Sequence, residues 1–299
     1  MTTYLPRRRF LQFTATATLA GIIAPAALAA SRRQLQKAIM YSTIGFKGTV
    51  LEKFTAMKEA GFEGVELMGG MDRAEVKAAL RASGLQAASV CCHTHWAKPL
   101  TDANPEVRKV GLDGLRLSLE DAKEYGTDSV LLVPGVVSDK VSYDEAWKRS
   151  QEEIRKAVPL AEQLGVKIAI ENVWNNFLLS PIEAARYVDE FKSPAVAWHL
   201  DLGNIGRYGW AEHWVRVLGK RISRLHLKEW NNKRMNEEGL RKGFGDKLLE
   251  GTNNWAAIMR ALDEVGYTGW GITEQPGSQA ATLEEARDLV QRVEKIYAL

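Results

Sequence analysis

Only two cysteines occur among the 299 residues, and they are neighbours, Cys91 and Cys92. Adjacent cysteines cannot staple distant parts of a chain, so no disulfide framework is expected. They read as small hydrophobes at the end of a strand. Histidine is also scarce, five in all, too few for a histidine-rich multi-metal cluster. No Gly-x-Gly-x-x-Gly follows the first apolar run, which argues against a nucleotide-binding sheet. The body carries no basic stripe interleaved with aromatics and the formal net charge is only +3, so nothing points to nucleic acid. No linker or low-complexity stretch divides the body. The length suits two ordinary domains or one α/β barrel of ~250 residues.

The N-terminus is set apart by composition. Arg7, Arg8 and Arg9 precede Phe10 and Leu11, and an Ala/Thr-rich apolar stretch runs on through Ala24. It closes in Ala27-Leu28-Ala29, a small-x-small cleavage site. Threonines interrupt the stretch, which falls short of the ~20 apolar residues of a membrane anchor. Paired arginines before Phe-Leu resemble a twin-arginine signal. Residues 1–30 are therefore expected to be a cleavable export signal, read by the twin-arginine machinery, and 31–299 a periplasmic or otherwise exported domain.

From Ala38 onward, apolar runs of strand length alternate with helix-period segments. The strands are expected at Ala38 to Ile44, Phe62 to Met68, Leu85 to Cys92, Ser129 to Val133, Val166 to Glu171, Ala195 to Asp201, Arg221 to His226 and Thr268 to Glu274. Helices are expected between them, one running unbroken from Tyr143 to Leu164. Gly61, Gly84, Gly126, Gly165 and Gly266 punctuate the helix ends, where a glycine just past the C-terminus is favoured. Near-continuous apolar strands separated by helices imply a covered parallel sheet. Eight such units predict a single (β/α)8 barrel, with an open doubly wound sheet as the alternative. One long connection, Glu229 to Asn253, is expected to be an active-site lid.

Four of the apolar runs end in a polar residue able to bind metal: Glu171, Asp201, His226 and Glu274. In such a barrel the active site lies at the C-terminal ends of the strands. Neighbouring strand ends are ~4.8 Å apart, so all four side chains can converge on one divalent cation. Three carboxylates would repel one another without it. One nitrogen among several oxygens suits Mn²⁺, with Mg²⁺, Co²⁺ or Zn²⁺ also admitted.

These residues sit in longer signatures: Gly61-Phe62-Glu63-Gly64-Val65-Glu66-Leu67, Ile170-Glu171-Asn172, His199-Leu200-Asp201-Leu202-Gly203-Asn204, Leu225-His226-Leu227-Lys228-Glu229 and Thr273-Glu274. Together they resemble the xylose isomerase-like superfamily, in its sugar isomerase/epimerase group, over the whole body. The resemblance implies that Glu171, Asp201, His226 and Glu274 hold the metal. It further implies that Glu171 and Glu274 are the acid/base pair on opposite faces of a sugar or keto-sugar. Two departures stand out: Asn204 replaces a histidine often found after the strand-six aspartate, and Phe177 replaces a glutamate that helps hold ketoses in some members.

Around this centre, His93, His95, Lys228, Glu66, Trp96, Trp174 and Asn204 are the candidate substrate-binding residues, because each lies at or just past a strand end. Trp230 is a further aromatic at the same rim. The expected function is a metal-dependent sugar isomerase or epimerase acting through an enediolate. The alternative is a lyase that enolises a 3-keto glycoside and expels its substituent. An endonuclease IV-like nuclease is a remote third. A homo-oligomer is compatible with each.

Overall fold

The computed structural model describes residues 35–275 and 279–299; the expected export signal lies outside them. Eight parallel strands close into a barrel in sequence order: β1 (Leu35–Met40), β2 (Gly64–Met68), β3 (Gln86–Cys91), β4 (Ser129–Leu132), β5 (Lys167–Glu171), β6 (Val196–Asp201), β7 (Ile222–Leu227) and β8 (Gly269–Thr273), which pairs back onto β1. The helices are α1 (Val50–Ala60), α2 (Arg73–Ser83), α3 (Pro105–Tyr125), α4 (Tyr143–Arg155), α5 (Val158–Leu164), α6 (Pro181–Asp189), α7 (Ala211–Leu218), α8 (Asn232–Glu238), α9 (Trp255–Val265) and α10 (Leu283–Tyr297). The open-sheet alternative is excluded by the β1–β8 pairing.

Local sequence explains the boundaries. Thr49 caps α1 in a reciprocal pair with Glu52, and Thr282 caps α10 in the same way with Glu285. Gly61 ends α1 at φ 110°, a conformation that strains any side chain. One apolar core fills the space between strands and helices, from Ile39 and Phe54 round to Val293 and Ile296. A smaller cluster inside the barrel, including Ala38, Ala88, Leu131 and Ile272, plugs its floor.

Two expectations are corrected. The first strand is Leu35–Met40 rather than Ala38 to Ile44; the chain turns at Tyr41–Thr43, where the Thr43 hydroxyl donates to the Met40 carbonyl at 2.8 Å. The helix expected from Tyr143 to Leu164 breaks into α4 and α5. Pro159 has no N–H to donate, and its ring would collide with the carbonyl four residues back. The long 229–253 connection holds α8 and a 3₁₀ turn, Leu240–Phe244.

Two irregularities prepare the site. The pairing register shifts opposite Val65 and Glu66 of β2, where Ala88 is the extra residue on β3, and again opposite Trp198 and His199 of β6, where Ser223 is the extra residue on β7. Each bulge sits across the ladder from a polar side chain, Glu66 and His199, both fully buried. Bulges of this kind re-aim side chains near active sites.

Candidate functional site

Glu171 ends β5, Asp201 ends β6, His226 is the penultimate residue of β7, and Glu274 follows β8. One ligand atom from each lies within 4.8 Å of every other. The Nδ1 atom of His226 is 3.0 Å from Glu171 Oε1, 3.1 Å from Glu274 Oε2 and 3.8 Å from Asp201 Oδ2. Its Nε2 donates to Glu66 Oε2 at 2.8 Å. Lys228, two residues on and on the same face of the chain, brings its ammonium 2.7 Å from Asp201 Oδ2 and against Glu274 Oε2.

The strand-six carboxylate is oriented by its own backbone. Asp201 Oδ1 accepts from the amides of Gly203 at 2.9 Å and Asn204 at 2.7 Å, so Oδ2 is the oxygen left for the centre. Asn172 locks β5 to β6: its Oδ1 accepts from the Asp201 amide at 3.0 Å and its Nδ2 donates to the Asp201 carbonyl at 2.8 Å.

The electrostatics show what the cluster requires. Burial raises the Glu171 carboxyl to about 7, against the opposing pull of His226. Burial also acts to raise Glu274, but the Lys228 ammonium and His226 outweigh it and hold that carboxyl below its ordinary value. Desolvation opposes charge on His226, yet Glu66, Glu274 and their neighbours drive its pKa well up. Lys228 is likewise raised, by Asp201 and Glu274, in spite of burial. Positive charge is therefore strongly favoured among these oxygens. Asp201 Oδ2 and Glu274 Oε2 are buried without a partner in hydrogen-bond geometry, though both lie against Lys228. Hard, buried, partly orphaned oxygens with one imidazole nitrogen fit a divalent cation.

Three of the four, Glu171, His226 and Glu274, form one wall of a cavity of about 350 Å³ at the C-terminal mouth of the barrel, which Asp201 does not line. Glu171, His226, Lys228, Glu274, Asn204, His95, Trp96 and Trp174 all line it. A wider cleft of about 610 Å³ opens at the other end of the barrel, where Arg224 and Asp128 neutralise each other. The ionisable cluster lies away from that cleft.

Some candidates stand elsewhere or do other work. Glu66 does not line the cavity; it is fully buried behind His226. His93 is exposed and turned toward Gly69 and Gly70, so the two histidines of the His-x-His pair separate and cannot share an ion there. Both lie past the end of β3 in a turn, where the strand's period of two, which would put residues two apart on one face, no longer holds. Asn204 lines the cavity but also ties the loops together, donating from Nδ2 to the Asn172 carbonyl at 3.0 Å. Trp230 is fully buried rather than a platform for sugar. Its ring packs so closely on Gly206 and Gly243 that a Cβ at either position would lie 2.1 or 2.5 Å from it.

Residues that sequence reasoning did not single out come from the 229–253 connection. Phe244 and Arg241 line the cavity, and Phe244 packs on Trp174 and Trp230 with ring centres 4.9 and 4.7 Å apart. That connection is anchored by the buried Glu229, which accepts from the amides of Leu249 at 2.7 Å and Asn253 at 3.2 Å and from the Trp255 indole at 2.8 Å. The segment's length was the available signal; no periodicity marks which of its residues face inward.

Residues 54–296 match the family described as xylose isomerase-like TIM barrel. The chain belongs to that family. Among its curated relatives is an uncharacterised protein of Methanocaldococcus jannaschii, 26% identical over 57% of this chain and 60% of the other. An L-ribulose-5-phosphate 3-epimerase of Salmonella heidelberg is 24% identical over 81% of this chain and 88% of its own. Among solved structures, the D-allulose 3-epimerase of Methylomonas sp., in complex with D-allulose, superposes with a TM-score of 0.71 at 17% identity, over 89% of this chain and 98% of that one. The 3-keto-D-glucoside 4-epimerase of E. coli does so with a TM-score of 0.72 at 19% identity, over 89% and 100%. The fold is thus shared with sugar epimerases.

Proposed function

We propose that this chain is a divalent-metal-dependent sugar epimerase or isomerase that moves a proton on the carbon next to a carbonyl. The observation that carries the reading is the convergence of Glu171, Asp201, His226 and Glu274 within 4.8 Å of one another, with Glu171, His226 and Glu274 on the wall of a cavity large enough for a small ligand. Those four side chains would hold the cation, with Mn²⁺ the first choice. Bound there, such an ion supplies Lewis acidity that makes the proton beside a coordinated carbonyl easier to remove.

The remaining roles belong to the protein. Glu171 and Glu274 reach the centre from β5 and from beyond β8, with Asp201 and His226 between them in barrel order. They are the proposed acid/base pair, one taking the proton from its face of the sugar and the other returning one from the opposite face. Lys228 balances the carboxylates and offers an ammonium to a substrate oxygen. Trp174, Phe244 and Trp96 line the apolar side of the cavity, where sugar C–H surfaces can rest. The lid closes over this arrangement and limits access of water.

Two observations favour the second reading, a lyase acting on a 3-keto glycoside. Phe177 is fully buried in an aromatic cluster with Tyr143, Trp147 and Tyr187. Asn204 is engaged by Asn172. Neither offers the carboxylate or imidazole by which some epimerases grip a ketose. Enolising a 3-keto sugar uses the same base and ends in loss of the substituent.

The deciding experiment incubates Mn²⁺-loaded protein in D₂O with L-ribulose 5-phosphate, D-allulose and a 3-keto-D-glucoside, followed by NMR and mass spectrometry. Deuterium at the carbon beside the carbonyl, with the skeleton intact, supports the epimerase. Release of the aglycone supports the lyase. No exchange with any keto-sugar, metal present, rejects both.

A further inference from the structure

The hydrogen-bonding state of one ring in the cavity is fixed by the backbone. His95 is buried, with 6% of its surface exposed, and its Nδ1 lies 3.2 Å from the amide nitrogen of Val133 at the end of β4. An amide N–H can only donate, so Nδ1 is the unprotonated nitrogen and the proton of the neutral ring sits on Nε2. Protonating Nδ1 as well would set two N–H groups against each other. The surrounding turn resists the shift that would relieve this. Lys98 N donates to the Thr94 carbonyl at 2.7 Å, and Thr94 packs so tightly on Gly114 of α3 that a Cβ there would lie 2.1 Å from its hydroxyl.

The ring stands in the cavity wall with Glu171, Lys228 and Glu274, and Trp96 covers its edge at 88° with ring centres 5.8 Å apart. Among the described residues no hydrogen-bond acceptor is found for Nε2. We propose that His95 is a permanently neutral hydrogen-bond donor, through Nε2–H, to the substrate oxygen that gains negative charge when the neighbouring carbon loses its proton. It is neither a metal ligand nor a base. A ligand or base would need a free lone pair, and the only one is occupied by Val133. Burial adds to this by holding the ring's pKa down at about 4. A neutral imidazole polarises a carbonyl oxygen without transferring its proton, which leaves proton movement to the two glutamates.

This role rests on the proposed proton transfer beside a carbonyl, so the test has one arm that needs no turnover. Long-range ¹H–¹⁵N NMR of histidine-labelled, Mg²⁺-loaded full-length protein is expected to show His95 as the neutral Nε2–H tautomer from pH 5 to pH 8. An Nδ1–H tautomer, or an imidazolium at pH 6 to 8, overturns the proposal. In the second arm, His95→Ala is expected to lose ~10²- to 10³-fold in kcat for solvent-proton exchange into a turned-over keto-sugar, the scale of removing one such donor. KM and Mn²⁺ affinity should stay within about threefold of wild type, while His95→Gln, which keeps an N–H of similar reach, should recover part of the loss. Wild-type kcat in His95→Ala also overturns it. If wild-type protein exchanges no proton with any keto-sugar, the sugar-enzyme reading fails and the substrate-donor role fails with it; the NMR result then decides only the tautomer.

Discussion

Glu66 and His226 are 160 residues apart in sequence yet share a 2.8 Å hydrogen bond inside the barrel, from imidazole Nε2–H to carboxylate Oε2. The bond leaves Nδ1 as the nitrogen facing Glu171, Asp201 and Glu274. A carboxylate behind a ligating histidine fixes its tautomer and raises its basicity. Glu66→Ala is therefore expected to weaken Mn²⁺ binding by ~10- to 100-fold, with Glu66→Gln intermediate because its amide oxygen still accepts. Electron paramagnetic resonance of free Mn²⁺ measures this directly. An unchanged dissociation constant in a folded Glu66→Ala protein would show that the bond serves packing alone.

The two glutamates should separate binding from chemistry. Glu171→Gln and Glu274→Gln keep an oxygen at the centre and should retain much of the metal, while each loses ~10²- to 10⁴-fold in turnover. With two bases, each variant can still exchange one substrate proton with D₂O from its intact side. With one base, as in the lyase, only one variant loses exchange. Near wild-type turnover in both would remove the pair from the mechanism.

The lid can be displaced without touching the centre. Gly243 lies against the Trp230 ring, and an added Cβ would sit 2.5 Å from it. The ring is also pinned by Gly206, so in Gly243→Ala the Leu240–Phe244 turn has to lift, taking Phe244 and Arg241 out of the cavity wall. Overpacking of this kind costs ~1–3 kcal/mol. KM is expected to rise by about tenfold while Mn²⁺ affinity is unchanged, as steady-state kinetics and metal titration will show.

Acid should destabilise the fold through His95. Burial holds its folded pKa at about 4, below the 6.5 of a free imidazole. Above 6.5 both states are neutral and nothing is lost. As pH falls from 6.5 toward 4 the unfolded chain takes up a proton that the folded chain refuses, so stability declines by up to roughly 3 kcal/mol. Urea unfolding of wild type and His95→Gln between pH 7 and 4 should show a shallower acid limb in the variant; parallel limbs would contradict this.

The proposed export route predicts that replacing Arg8 and Arg9 by Lys leaves full-length precursor in the cytoplasm. Fractionation with normal export of the double variant would exclude twin-arginine transport.

The sequence by itself determined the alternation of strands and helices, the glycine helix ends and the placement of Glu171, Asp201, His226 and Glu274 at strand ends. Each is written within a few neighbouring residues: an apolar run, a cap, a glycine that tolerates positive φ. Even the break before α5 was legible in Pro159, had its missing N–H been weighed against the helical period. The tertiary structure alone decided which side chains meet. Glu66 meets His226 across the barrel, beside a bulge at Ala88 of the neighbouring β3, and His93 and His95 part company in a turn pinned by α3. Trp230 is buried instead of lining the mouth because glycines 206 and 243, far from it in sequence, leave room for its ring. Such partnerships depend on register, bulges and close approaches between distant segments, and no local pattern encodes those.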